Sequence, residues 1–278
     1  MKSEPFVSAI ITTKNRADLL PRALDSVLNQ TYPNLGVIVV DDGSDDDTPQ
    51  IIERYQEKHS IICIRNEQSL GANKARNAGI EKAKGEFVAG LDDDDEWHPE
   101  RISLLLKNYD DSYACITSFD RIISSNRSVV WRKKLKVTLE DLLFSNHVGN
   151  QVLVKRERVL QVGGFDESLA AGQDYDLWIR LCEKFGPIKI VQEPLQNIYQ
   201  ENFKGRISNP KTQLDGYLSV YQKHKIKMNR DQKKYHLYNI RLAQGKVSSI
   251  FEVMGWVPKN RVFKEMKRWV ANRYLINR

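Results

Sequence analysis

Residues 87–97 read Phe87-Val88-Ala89-Gly90-Leu91-Asp92-Asp93-Asp94-Asp95-Glu96-Trp97. The apolar run predicts a buried strand, and the four aspartates are what emerges from its carboxyl end. Carboxylates packed side by side repel one another unless a cation or solvent relieves them. Hard divalent cations such as magnesium and manganese take one or two carboxylates together with the phosphates of a substrate. A solvated acidic loop is the competing reading of any charge run. Position favours the cation, because ligands of open α/β sheets bind outside the carboxyl ends of the strands.

The flanking sequence supplies the rest of such a sheet. Val7 to Ile11, Leu35 to Val40 and Ile61 to Ile64 are further short apolar runs. Between them, Leu20, Leu24, Val27 and Leu28 recur at helical spacing, Thr48 can cap a second helix with Pro49 at its first position, and Asn73 to Lys84 reads as a third with Gly85 as its C-cap. Strand and helix in alternation predict an α/β fold with a mostly parallel central sheet flanked by helices. After Pro99 the reading gives a helix at 100–107, a strand at 114–119, a hairpin within 121–136, a strand at 152–155, a short helix at 156–162 and an amphipathic helix from Tyr175 to Phe185.

Of the 278 residues 41% are apolar, enough for one good core and a smaller appended unit. Mean hydropathy is −0.52, and no apolar stretch approaches the ~20 residues of a spanning helix. The N-terminal segment lacks the long apolar stretch of a signal peptide. Cys63, Cys115 and Cys182 are scattered, which suggests reduced packing residues in the cytosol. The formal charge of +7 is uneven: residues 203–278 hold 18 Lys+Arg against 4 Asp+Glu, and residues 1–202 hold 25 against 32. Chemistry is therefore expected in the acidic body, and contact with an anionic surface through the basic helical region 203–278.

A second acidic segment, Asp41-Asp42-Gly43-Ser44-Asp45-Asp46-Asp47, also follows a strand. It fails as a calcium loop, since positions six and twelve hold Asp46 and Ile52. Either it is a simple turn, which Asp-Gly favours, or a carboxylate here accepts hydrogen bonds from a nucleotide. The Gly-rich phosphate loop of dinucleotide folds and the P-loop lysine are both missing.

Three segments together resemble the family 2 glycosyltransferases. Residues 7–48 (VSAIITTKNRADLLPRALDSVLNQTYPNLGVIVVDDGSDDDT) resemble that family's opening. Residues 75–97 (ARNAGIEKAKGEFVAGLDDDDEW) resemble its run into the Asp-x-Asp (DXD) motif, and residues 163–181 (GGFDESLAAGQDYDLWIRL) its segment with the catalytic base. The resemblance covers roughly the first 200 residues. It implies a GT-A fold with a catalytic domain over 1–202, divided into a nucleotide-sugar-binding half (1–98) and an acceptor-binding half (99–202). It also implies inverting, Mn2+- or Mg2+-dependent transfer from a nucleotide-sugar, most simply a UDP-sugar. The acceptor would be a saccharide or lipid-linked saccharide in surface polysaccharide or lipopolysaccharide synthesis, at the cytoplasmic face of the membrane.

The resemblance also implies roles for single residues. Asp42, with Asp41 beside it, would recognise the base, and Thr12 would border it. Lys14 stands where many members carry an aromatic residue. Lys74 and Arg76 would approach the diphosphate. Asp94 would be the direct metal ligand and Asp92 a contact to ribose or metal-bound water, with Asp93 also on the nucleotide. Asp174 would be the general base, here preceded by Gln173 where the family usually has Glu. Without the flanking motif, Asp174 would read as the N-cap of its helix. Asn146, His147, Gly149 and Asn150 are weaker candidates for sugar contacts.

Two alternatives fit less well. A sugar-nucleotide pyrophosphorylase lacks its Gly-rich N-terminal signature here, and a nucleic-acid-binding protein using the basic tail would leave the body unexplained. In residues 259–275, Val262, Phe263, Met266, Trp269, Val270 and Tyr274 share one side of a helix rich in Lys and Arg. That pattern suits either an anionic membrane interface or packing on the catalytic domain.

Overall fold

The computed structural model describes residues 4–200, 210–247, 249–259 and 261–275. Its first part alternates as expected: β1 (Val7–Thr13), α1 (Leu20–Leu28), β2 (Leu35–Asp41), α2 (Thr48–Gln56), β3 (Ile61–Arg65), α3 (Ala72–Lys82) and β4 (Phe87–Asp92). Then come β5 (Glu96–Trp97), α4 (Arg101–Lys107), β6 (Ile116–Ser124), β7 (Arg127–Trp131), β8 (Lys136–Val137), α5 (Leu139–Leu142), β9 (Leu153–Lys155), α6 (Arg156–Gln161), α7 (Gln173–Phe185) and β10 (Ile188–Tyr199). The basic region is helical: α8 (Pro210–His224), α9 (Arg230–Ala243), α10 (Ile250–Trp256) and α11 (Val262–Leu275). The expected boundary at 202/203 lies outside the described residues.

One mixed sheet runs β3-β2-β1-β4-β9-β6-β10-β5, with β7 on β6 and β8 on β10. The pairs β3–β2, β2–β1, β1–β4 and β6–β10 are parallel, and β9 joins the two parallel halves antiparallel. Helices cover both faces, so β1 and β2 are almost wholly buried and apolar. On one face, Leu20, Leu24 and Val27 of α1 are fully buried with Ile11 and Val39, each such side chain contributing about 1.5–3 kcal/mol. On the other, Ile10, Ile38 and Val40 pack with Ala75, Ile80, Leu177 and Trp178.

Register places the chemistry. Thr13 pairs with Asp41 across β1–β2, and Thr12 with Asp92 across β1–β4. The carboxyl ends of three parallel strands therefore open together at one edge of the sheet. Gly79 brings α3 close over β1, because a Cβ there would stand 2.5 Å from Ile10 Cγ2. That approach lets Arg76, one turn earlier on α3, reach the end of β4.

Two local expectations need correction, and one strand was not expected. Helix α3 ends at Lys82 with Ala83 as C-cap, so Gly85 does not cap it. Gly85 instead sits where a Cβ would strike the backbone oxygens of Phe87 and Phe6 and the nitrogen of Ser8. Asp47, not Thr48, is the N-cap of α2. The strand β10 went unread because Glu193-Pro194 interrupts it, and its pairing with β6 shifts register on either side of Pro194.

Candidate active site

A cleft of ≈ 1040 Å³ opens at the carboxyl edge of the sheet. Thr12, Asp42, Arg76, Asp92 to Asp95, Gln173 and Asp174 all line it. Residues some 160 positions apart in sequence thus share one solvent-accessible space.

The four aspartates take different environments. Asp92 ends β4 and is held on three sides: Gln151 Nε2 donates to Oδ1 at 2.9 Å, Arg76 Nη2 lies 3.2 Å from Oδ1, and Asn150 Nδ2 donates to Oδ2 at 2.7 Å. Asp95 is buried and accepts from Tyr199 N at 3.2 Å and from Asn150 Nδ2 and Gln196 Nε2 at 3.3 Å. Burial and the charges of Asp92 and Asp94 push its carboxyl well above the ordinary range. Asp93 and Asp94 are half-buried in the cleft wall. Burial pushes Asp93 up to about 7, the Thr13 hydroxyl opposes this, and the Asp94 charge adds to it. Arg22 fixes the turn from below, donating to the Asp94 carbonyl and stacking 3.7 Å over the Tyr199 ring.

Asp42 lines the cleft, but its two oxygens already accept four hydrogen bonds, from Asn66 Nδ2, Ser69 Oγ, Leu70 N and Gly71 N at 2.7–2.9 Å. These bonds outweigh burial and hold its carboxyl below the ordinary range. Asp41 is fully buried, accepts from Ser44 N at 2.9 Å and has Arg65 Nε at 3.5 Å. Of this second acidic segment, Asp46 is a clamp, accepting from Ala17 N and Thr48 N. Lys74 is exposed on α3 and does not line the cleft, whereas Arg76 does.

Asp174 is the second residue of α7, whose N-cap is Gly172 at φ 76°, so the capping alternative falls away. Its Oδ1 is buried with no hydrogen-bond partner among the described residues. Burial pushes the carboxyl up to about 7, with Arg76 lowering it and Asp92 raising it. A carboxyl poised near neutrality, in a cleft, suits proton abstraction.

The family model "Glycosyl transferase family 2" matches residues 8–167, and "Glycosyltransferase like family 2" matches 104–246. The chain belongs to glycosyltransferase family 2. This glycosyltransferase is 32% identical over 252 residues to WcaA of Escherichia coli K12, a glycosyl transferase assigned to colanic acid biosynthesis, across 86% of this chain and 88% of that one. A glycosyltransferase of Rickettsia typhi is 34% identical over 188 residues, which cover 63% of this chain and 58% of that one. Among solved structures, S. aureus TarS 1–349 in complex with UDP-GlcNAc superposes with a TM-score of 0.65 at 19% identity, over 92% of this chain and 77% of that one. PcManGT of Pyrobaculum calidifontis, a mannosyltransferase in complex with GDP-Man and Mn2+, gives 0.63 at 18%, over 99% and 86%. At these identities the two structures show the shared GT-A fold.

Sequence reading did not find the residues that organise the glycosyltransferase's cleft. Gln151, Gln196, Arg22 and Tyr199 hold the acidic turn from the loop before β9, from β10 and from α1, and Asn150, which lines the cleft, also binds Asp92 and Asp95. Beneath them lies a buried charge set, with Lys133 Nζ 2.6 Å from Asp120 Oδ2 and Arg101 donating to Ser118 Oγ at 2.9 Å. Burial lowers Lys133 to about 8 despite Asp120. The polar pair Asn150-Gln151 opening an apolar strand was the one available signal. In the basic region, Val262, Met266 and Trp269 pack on a cluster of Tyr235, Tyr238 and Val253, so half of the expected stripe is consumed internally. Phe263 and Val270 remain exposed, and the Tyr274 side chain lies outside the described residues. Among the described residues no helix is long and apolar enough to cross a membrane.

Proposed function

We propose that the chain is an inverting, divalent-metal-dependent hexosyltransferase that moves a sugar from a UDP-sugar to a saccharide or lipid-linked saccharide acceptor in surface-polysaccharide synthesis. The observation that carries this reading is the shared cleft, in which an acidic turn and a carboxyl raised to about 7 face the same space. Residues 1–98 would bind the donor and 99–202 the acceptor, with the basic region 203–278 appended to them.

The donor set fits a hard cation. Asp93 and Asp94 are crowded carboxylates whose ionised forms a divalent ion would stabilise. Asp94 would hold Mn2+ or Mg2+ with Asp93 beside it, and Asp92, braced by Gln151, Arg76 and Asn150, would orient the turn and meet the ribose. Bound there, the ion would supply electrostatic stabilisation of the departing diphosphate. Arg76 would approach that diphosphate, while Thr12 borders the nucleoside. Asp42 would shape the base pocket by fixing the 66–71 loop, and Asp41 would support it from the core. Asp174 would take the acceptor hydroxyl's proton as the oxygen attacks, and one base opposite one leaving group gives inversion.

The test is release of nucleoside diphosphate from a nucleotide-sugar panel with Mn2+. Asp94→Ala should abolish turnover, and Asp174→Asn should abolish transfer while keeping donor binding. A wild-type protein that neither binds nor turns over any member would remove the proposal.

A further inference from the structure

Beyond the donor half, the cleft has a wall that no residue considered so far accounts for. In the β6–β7 pairing Asp120 stands opposite Trp131, Ile122 opposite Val129 and Ser124 opposite Arg127. In the β6–β10 pairing Ile122 stands beside Ile198. Because side chains alternate across a sheet, Trp131, Val129, Ile122 and Ile198 share one face. Ile122, Trp131 and Ile198 line the cleft with Asp174, and Val129 is 51% exposed. Trp131, Ile122, Val129 and Ile198 form an apolar and aromatic patch on this face, between Asp120 at one end and the Ser124–Arg127 pair at the other, and the patch borders a site that is otherwise charged.

The indole is held by its neighbours. Lys133 Nζ lies 4.9 Å from the Trp131 ring centroid, and that ammonium is fixed by its 2.6 Å pair with Asp120. Gly149, at φ 103°, passes so close that a Cβ there would stand 3.6 Å from the Trp131 ring and 3.0 Å from Lys133 Nζ. The Gly149 carbonyl accepts from Trp178 Nε1 at 2.9 Å, on the same helix that carries Asp174. The ring is thus braced and connected through one residue to the base helix.

We infer that Trp131, with Ile122, Val129 and Ile198, is the platform on which the acceptor's sugar ring lies, its C–H face against the indole, so that a hydroxyl is presented towards Asp174. This rests on the glycosyltransferase reading of the cleft and specifies its acceptor subsite. A pyranose ring has one face rich in polarised C–H bonds, which complements the negative face of an aromatic ring and leaves the hydroxyls directed sideways. Sites of this kind join an apolar wall to a few fixed polar groups, and a braced ring binds at small entropic cost.

The test is saturation-transfer-difference NMR on the full chain with UDP, diamagnetic Mg2+ and p-nitrophenyl β-D-glucopyranoside as the acceptor probe. Wild type should give strong signals at the sugar ring protons. Trp131→Ala should lose them at least fivefold, Trp131→Phe should retain most, and the UDP signals of both should match wild type, which also reports that they fold. Ring-proton signals unchanged in Trp131→Ala, or absent in wild type while UDP signals persist, would overturn the platform. Loss of the UDP signal in wild type would instead overturn the donor reading, and the platform with it.

Discussion

His224 Nε2 stands 2.8 Å from Asp176 Oδ1, so the end of α8 is tied to the helix that carries the proposed base. Asp176 is fully buried two residues after Asp174, and it also takes Arg180 Nε at 2.9 Å and Lys223 Nζ at 2.8 Å. Despite the cost of burial, these partners hold its carboxyl far below the ordinary 3.8. Asp176→Ala leaves three donors without their acceptor and should cost about 3 kcal/mol in urea unfolding. The native state binds fewer protons at Asp176 than the unfolded chain. Its contribution is therefore present above the ordinary 3.8 and lost as pH falls through the depressed native value. An unchanged urea midpoint for Asp176→Ala would show the tie to be incidental.

Asp174 must be ionised to accept a proton, and burial sets it at about 7. Activity (kcat/KM) should therefore rise with pH through neutrality, and Asp174→Asn should lose about 10²–10⁴-fold. The Arg76 cation lowers this value. Arg76→Gln should consequently move the acid limb of the pH profile upwards, a shift that a purely structural Arg76 would not produce.

The four aspartates should separate by readout. Asp94→Ala should remove the response to Mn2+ and leave the urea midpoint nearly unchanged. Asp95→Ala, which strips the acceptor from Tyr199 N and the Asn150 and Gln196 amides, should cost about 1–3 kcal/mol of stability. Equal behaviour in both assays would return the run to a uniform acidic loop.

Phe251 is 77% exposed on α10 and Phe263 71% exposed on the basic α11. If these helices touch an anionic membrane, the protein should co-sediment with vesicles containing phosphatidylglycerol, and a Phe251→Ser, Phe263→Ser double variant should bind less. Equal sedimentation of both proteins would contradict that contact.

What the sequence disclosed was what local pattern encodes. Apolar runs marked β1, β2 and β4, the last two ending in acidic residues, and register then followed from parallel pairing. The braces of the site were illegible for a physical reason. Gln151, Gln196 and Arg22 reach the acidic turn from positions 59, 101 and 72 residues away in sequence, and no local periodicity reports such contacts. Asp42 shows the same limit: its sequence marks a carboxylate at a strand end, but only the folded 66–71 loop reveals that its oxygens are already engaged.

The central claim is that the acidic turn and Asp174 act on one nucleotide-sugar in one cleft. The most direct measurement is a transfer reaction with an α-configured UDP-sugar, Mn2+ and an acceptor glycoside, following UDP release and, on the product freed of Mn2+, the anomeric coupling by ¹H NMR. The account predicts Mn2+-dependent release of UDP and a β-configured product, with transfer lost in Asp174→Asn. An α-configured product, or full transfer by Asp174→Asn, would contradict it.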